Sequence, residues 1–175
     1  DANDAEKLDV PLEVWLPKSG YRVRYFSCWH RHDLILSVGL LRWLWQNVGK
    51  YDLVHSHTIF TPMLDIAHSI CRRKRVPYIV TPHGMLEPWA MAHKAWKKRL
   101  YFKLFERNSL KKAAAIQALT AVEVERTRSL GFKNAMLVPN GIHTAQFRTL
   151  PSSQLFLNEY PQLKEKKIIL FLGRL

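Results

Sequence analysis

Apolar and polar residues recur along this chain in two rhythms, and the switches between them mark its elements. Tyr21 to Phe26 alternates with a period of two, as a half-buried strand does. Leu34 to Val48 is a dense apolar run that predicts a core helix stopped by Gly49. Leu53 to His57 is short and apolar, and predicts a strand. From about Pro62 to Arg73 the spacing turns helical, and Pro62 suits a first helical turn. Tyr78 to Thr81 predicts the next strand. A long helical pattern then runs from about Ala92 to Ala113 and leads into a buried-strand candidate, Ala114 to Leu119. Thr120 and Glu123 make a capping box for a further helix, which Gly131 stops. Ala135 to Val138 predicts a strand that ends on Pro139-Asn140-Gly141, a turn expected to need positive φ. Residues 150 to 166 read as a polar helix or linker, and Ile168 to Leu172 as a last strand.

Strands of four to six apolar residues alternating with helices predict an α/β fold. The expected architecture is a doubly wound, Rossmann-like parallel sheet with right-handed crossovers. Residues 1 to 13 are polar and acidic, without the basic-then-apolar order of a signal peptide. The expected layout is a disordered or partial lead-in at 1–20, a Rossmann-like domain at 21–148, a linker or helix at 149–166, and the first strand of another domain at 167–175. No Gly-rich turn opens the first domain and no helix follows the last strand, so the chain is expected to be a fragment truncated at both ends.

Composition narrows the function classes. The chain has 175 residues, 47% of them hydrophobic and 11% aromatic, which excludes a disordered polymer and suits about one domain. Lys and Arg number 27 against 14 Asp and Glu, a net charge of +13 that favours nucleic acid, anionic lipid or phosphorylated ligands. The apolar stretch Leu34 to Trp45 is too short to span a bilayer and contains Arg42. Cys28 and Cys71 form no CxxC, and read as reduced, buried thiols of a cytosolic protein.

Chemistry enters through the strand ends. In an open parallel sheet, ligands bind beyond the carboxyl ends of the strands. The strands at 53–57 and 78–81 each lead to a histidine, so His57 and His83 are expected to face one crevice. Pro82 restrains His83 on one side, and Gly84 lets backbone approach a ligand on the other. His55 and His57 share a face, and His-x-His can bind metal. A metal site needs a third or fourth ligand, however, and none is placed by the spacing. His57 therefore stands open between ligand contact, structural packing and metal. Glu87 reads as a cleft carboxylate or as the capping acid of a loop.

From about residue 50 to 175 the chain resembles the retaining glycosyltransferases of family 4, which have the two-domain GT-B fold. The resemblance rests on Asp52-Leu-Val-His-Ser-His57, Thr81-Pro-His-Gly84, Ala118-Leu-Thr-Ala121, Val138-Pro-Asn-Gly-Ile142 and Leu172-Gly-Arg-Leu175, in that order. Each motif is weak alone, and five together are strong. The resemblance implies the N-terminal, acceptor-side domain of an enzyme that moves a sugar from a nucleotide-diphosphate sugar to an acceptor, without a metal or other cofactor. It implies His83 as the catalytic residue that positions the reacting groups. His57 and Gly84 would lie on the acceptor side, and Gly173 and Arg174 at the donor diphosphate. The lysine expected beyond Gly173-Arg174 and the paired glutamates of the donor domain are absent, so the chain is expected to be inactive by itself. The acceptor would be a saccharide or a lipid-linked one, in cytoplasmic polysaccharide or glycolipid assembly.

The basic helix leaves a choice. Trp96, Leu100 and Leu104 form one stripe at 100° per residue, with Lys97, Lys98, Arg99, Lys103 and Arg107 around them. This is either a core helix with a solvated basic side or a peripheral contact with anionic lipid at the inner face of a membrane. A nucleic-acid-binding module is the alternative that charge alone suggests. It lacks a zinc finger, an RNP-type strand or a basic zipper, and nucleic acid is not expected as a partner.

Overall fold

Strand pairing sorts the chain into two antiparallel hairpins and one parallel sheet in the computed structural model, which describes residues 8–31, 34–92 and 95–171. The chain divides into two compact units, Asp1–Pro139 and Asn140–Leu175. In the first unit Trp15–Lys18 (β1) pairs with Tyr21–Arg24 (β2), turning at Gly20 with φ +84°. The Arg24 guanidinium lies 5.8, 5.3 and 5.6 Å from the ring centroids of Trp15, Phe26 and Trp43. Trp29–Arg31 (β3) pairs with Leu34–Leu36 (β4).

The apolar run from Leu34 is therefore two elements rather than one helix. Ser37 separates them: its hydroxyl donates to Ser27 O at 2.7 Å and accepts from Leu40 N at 3.3 Å, capping Val38–Asn47 (α1). A short apolar run fits strand and helix alike, and a serine that satisfies the first-turn donors decides where the helix starts. The helix is also no core helix in the full sense, because none of its residues is fully buried; Leu41 and Leu44 pack on the core from its rim.

The parallel sheet follows. Val54–His57 (β5) leads through Pro62–Arg73 (α2) to Tyr78–Thr81 (β6). The next connection holds Pro88–Ala92 (α3), Ala95–Tyr101 (α4), a π-helical turn at Phe102–Glu106 and Arg107–Lys111 (α5). Ala115–Ala118 (β7), Ala121–Ser129 (α6) and Ala135–Leu137 (β8) complete it, with spatial order β5-β6-β7-β8 and every pair parallel. The fold class is thus α/β with a parallel sheet, as the strand–helix alternation predicts. The long helix expected over 92–113 runs without interruption from Ala95 to Lys111, but the π-turn within it takes one extra residue into the spiral.

Register separates two faces. Val54 opposes Tyr78, Ser56 opposes Val80, and Val80 opposes Ile116, which opposes Ala135; directly opposed residues point the same way. That face meets Ile70 and Cys71 of α2, Leu110 of α5 and Phe132 in the main core. The other face carries His55, His57, Ile79, Thr81, Ala115, Gln117 and Met136.

Local signals hold at α6. Glu123 N donates to Thr120 Oγ1 at 3.2 Å, and Glu123 Oε2 accepts from Leu119 N at 2.6 Å. Gly131 ends the helix with φ +90°, a conformation open to glycine at no steric cost. Other expectations fail. Neither Asn140 nor Gly141 takes positive φ. Cys28 is exposed, in the segment between β2 and β3, while Cys71 is buried and both are free. In the second unit Ser153–Glu159 (α7) is capped by Ser152, and Phe156 packs on Tyr160 at 5.0 Å. Ile168 to Phe171 form no strand and are exposed; among the described residues no strand pairs with them. Leu172, Gly173 and Arg174 lie outside the described residues.

Candidate functional site

The carboxyl ends of β5 and β6 lie side by side, because His57 is the register partner of Thr81. His83 follows Thr81 by two residues, so both histidines reach one rim. His57 Nδ1 is 2.9 Å from His83 Nε2, and the rings stack at 24° with centroids 5.2 Å apart. This contact needs one imidazole to donate and the other to accept. It uses one nitrogen of each ring; the second nitrogens are His57 Nε2 and His83 Nδ1.

His83 is held there by an unusual backbone. Its φ is +51° and that of Gly84 is +74°, while Met85 N donates to Pro82 O at 3.2 Å. Two successive positive φ values inside an i to i+3 hydrogen bond match a type I′ turn. Histidine in the left-handed region is uncommon and costs on the order of 1 kcal/mol, a strain that collects at functional sites. Gly84 is needed for its φ rather than for space, since a Cβ there would sit 3.8 Å from Glu123 Oε1, an ordinary contact. The turn after β5 is bent in the same way: Thr58 has φ +74° and Phe60 +61°, and Thr58 N donates to Thr81 O at 2.9 Å.

Behind the pair runs a line of side chains on the same sheet face. His55 Nε2 is 2.7 Å from Thr81 Oγ1, which donates to Gln117 Oε1 at 3.0 Å; Gln117 Nε2 in turn donates to Val138 O at 2.7 Å. The His55 and His57 rings lie 4.4 Å apart. Partial desolvation, then the neighbouring His55 and His83, pull the His57 imidazole below its ordinary range. A neutral His57 suits the donor–acceptor contact with His83. Thr81 is fully buried while His55, His57 and His83 are exposed, so the line runs from the sheet interior to the rim.

The rim is open rather than a cavity. Pro82, Gly84, Glu87, Gln117 and Glu123 help line a pocket of about 10 Å³, room for no more than about one water. Glu87 is in it and pairs with Arg126 at 3.8 Å, so this carboxylate is partly engaged at the rim. Among the described residues no group of three or more His, Cys, Asp or Glu could hold a metal ion.

The sequence-predicted His57, His83 and Gly84 are thus brought together. Gly173 and Arg174 lie outside the described residues. Thr81 and Gln117 were missed, although their parity on β6 and β7 puts them on the His57 face. The stripe Trp96, Leu100 and Leu104 is not core: these residues are 70%, 52% and 58% exposed.

Known proteins extend this picture. The model of a family described as "Glycosyl transferase 4-like domain" matches residues 3–141. No curated protein matches the sequence. The crystal structure of Anabaena HepE in complex with UDP-glucose is similar in fold, with a TM-score of 0.50 and 17% identity over 72% of this chain. HepE structures with UDP, and with UDP and glucose, give TM-scores of 0.49 at 16% and 17% identity, each over 71% of this chain and 32% of theirs. The chain spans about a third of the length of the UDP-glucose structure, 33%.

Proposed function

The chain belongs to the glycosyl transferase 4-like family, and on that footing we propose that it forms the acceptor-side part of a retaining enzyme using a nucleotide-diphosphate sugar. The carrying observation is the His57–His83 contact at the carboxyl ends of adjacent parallel strands. His83 positions the reacting groups through its second nitrogen, fixed by the strained turn, while His57 and Gly84 shape the acceptor side. In the transfer, the bond between the anomeric carbon and the diphosphate oxygen breaks and the acceptor hydroxyl oxygen bonds to that carbon from the same side. The hydroxyl proton leaves with the diphosphate. Gly173 and Arg174 bind that diphosphate, and no metal takes part. HepE bound to UDP-glucose supports a nucleotide sugar as the donor class.

The remaining assignments belong to the same reading. Residues 21–148 form the acceptor-side domain and 167–175 begin the donor side, so these 175 residues alone do not complete transfer. The acceptor is a saccharide or a lipid-linked one, in cytoplasmic polysaccharide or glycolipid synthesis. Trp96, Leu100 and Leu104, exposed beside Lys97, Arg99 and Lys103, supply an apolar stripe with a basic border for an anionic membrane surface. Among the described residues no helix is long and apolar enough to cross a membrane.

The test uses a longer protein that contains this chain, with a panel of radiolabelled nucleotide sugars and extracted saccharide and lipid-linked acceptors. We expect label transfer with retained configuration, and His83→Ala to lower it by about 100-fold or more at unchanged melting temperature. Transfer by His83→Ala near the wild-type rate overturns the assignment.

A further inference from the structure

Glu106 is 2% exposed, the most deeply buried carboxylate among the described residues, and it sits at the end of the π-turn. A buried carboxyl needs partners, because removing one from water without a hydrogen bond costs several kcal/mol, roughly 2–7 even for a neutral polar group. Its partner is remote in sequence. Phe60 N donates to Glu106 Oε2 at 2.7 Å, across 46 residues. Phe60 belongs to the bend after β5, where Thr58 and Phe60 both have positive φ. Neither is a glycine, so this bend does not persist on local preference; something must over-determine it. The ring of Phe60 is fixed as well, between Tyr101 at 6.2 Å and Phe102 at 6.4 Å, with Lys98 Nζ 5.5 Å above it.

We propose that Glu106 is a positioning residue: its buried carboxyl grips the Phe60 amide and so fixes the 58–60 bend that turns His57 toward His83. The π-turn supplies the means. An α-helix from Ala95 to Lys111 would place its residues on an unbroken 100° spiral, whereas the extra residue of the π-turn leaves Lys103, Leu104 and Phe105 outside and brings Glu106 in. Helical irregularities of this kind are frequent at functional sites. Burial first, and then the Asp65 carboxylate, push its pKa up to about 8 against the opposing pull of the Phe60 amide, so the neutral acid form is favoured. A neutral acid still offers a carbonyl-type oxygen to the Phe60 amide, and glutamine reproduces that acceptor.

The assignment rests on reading His57 and His83 as the transfer site, so its test does not measure transfer. Imidazole NMR signals of His57 and His83, assigned with His57→Asn and His83→Asn, and amide exchange at Phe60 are recorded in the whole chain. In the wild type we expect a protected Phe60 amide, despite its place in a loop; exchange at the unprotected rate overturns the proposal. Glu106→Ala should speed that exchange about tenfold and shift both imidazole signals, while Glu106→Gln keeps the wild-type values. A folded Glu106→Ala with unmoved imidazoles means that Glu106 is structural only, and overturns the proposal. Should Glu106→Ala not fold, Glu106→Gln decides: retained protection and signals support the grip, and their loss refutes it.

Discussion

The two sides of β5 put histidine to opposite uses. On the helix side Ser56 Oγ is 2.8 Å from His68 Nε2, and His68 Nδ1 is 2.7 Å from Ser109 Oγ. His68 also stacks on Tyr78 at 4.4 Å and is 1% exposed. Both its nitrogens are spent on hydroxyls, and burial pulls its pKa down to about 4. On the rim side His57 and His83 each spend one nitrogen on the other and are exposed. The strongly shifted histidine is therefore the structural one. A perturbed pKa marks a site only where a substrate can reach the group.

His68→Ala gives the largest effect in stability and tests the comparison most directly. It takes the ring partner away from Ser56, which keeps only its 3.3 Å bond to Ile79 O, and from Ser109, opens space beside Tyr78, and should cost about 3 kcal/mol by thermal or denaturant unfolding. The pH profile adds a signature. The folded pKa lies below the unfolded value of 6.5, so the stability that neutral His68 supplies is present above 6.5 and is lost as pH falls through about 4. His68→Ala should flatten that acid limb. An acid limb of equal steepness in the variant would mean that the buried histidine is not what distinguishes this side.

Glu106→Gln probes the opposite slope. Its folded pKa of about 8 lies above the ordinary 4.5, so stability is complete below 4.5 and declines as pH rises toward 8. The loss by pH 8 is on the order of a few kcal/mol. Glutamine cannot ionise, and should leave the variant more stable than wild type at pH 8 and close to it at pH 5. Equal pH profiles in urea unfolding would show that Glu106 is not the group ionising there. Asp65, raised mainly by burial, and Tyr101, which donates to it, face the same region and stay in both proteins.

Much of this was legible in residue order, and the limits are physical. The bounds of α2 and β6 follow from Pro62, the helical spacing and the apolar run before Pro82. The meeting of His57 and His83 follows once two parallel strands are neighbours. Three things were not legible. Leu34 to Val48 fits either periodicity, and only the Ser37 cap resolves it. The left-handed φ of His83 is a tertiary demand that no propensity announces. The inward turn of Glu106 depends on a π-register that a 100° projection cannot contain, so the projection left Trp96, Leu100 and Leu104 open between core and surface.

The smallest expected effect lies where the two sides meet. Thr120 caps α6, which packs on the helix side, while Glu123 of the same capping box lines the rim pocket beside Gly84. Thr120→Ala removes the acceptor for Glu123 N and should cost about 1 kcal/mol. Glu123 Oε2 still holds Leu119 N at 2.6 Å, so its carboxylate stays in place. The imidazole signals of His57 and His83 should therefore not move, although the helix beneath them is weaker. If they do move, the rim depends on the cap, and the separation between a locked interior and an independently held histidine pair fails at α6.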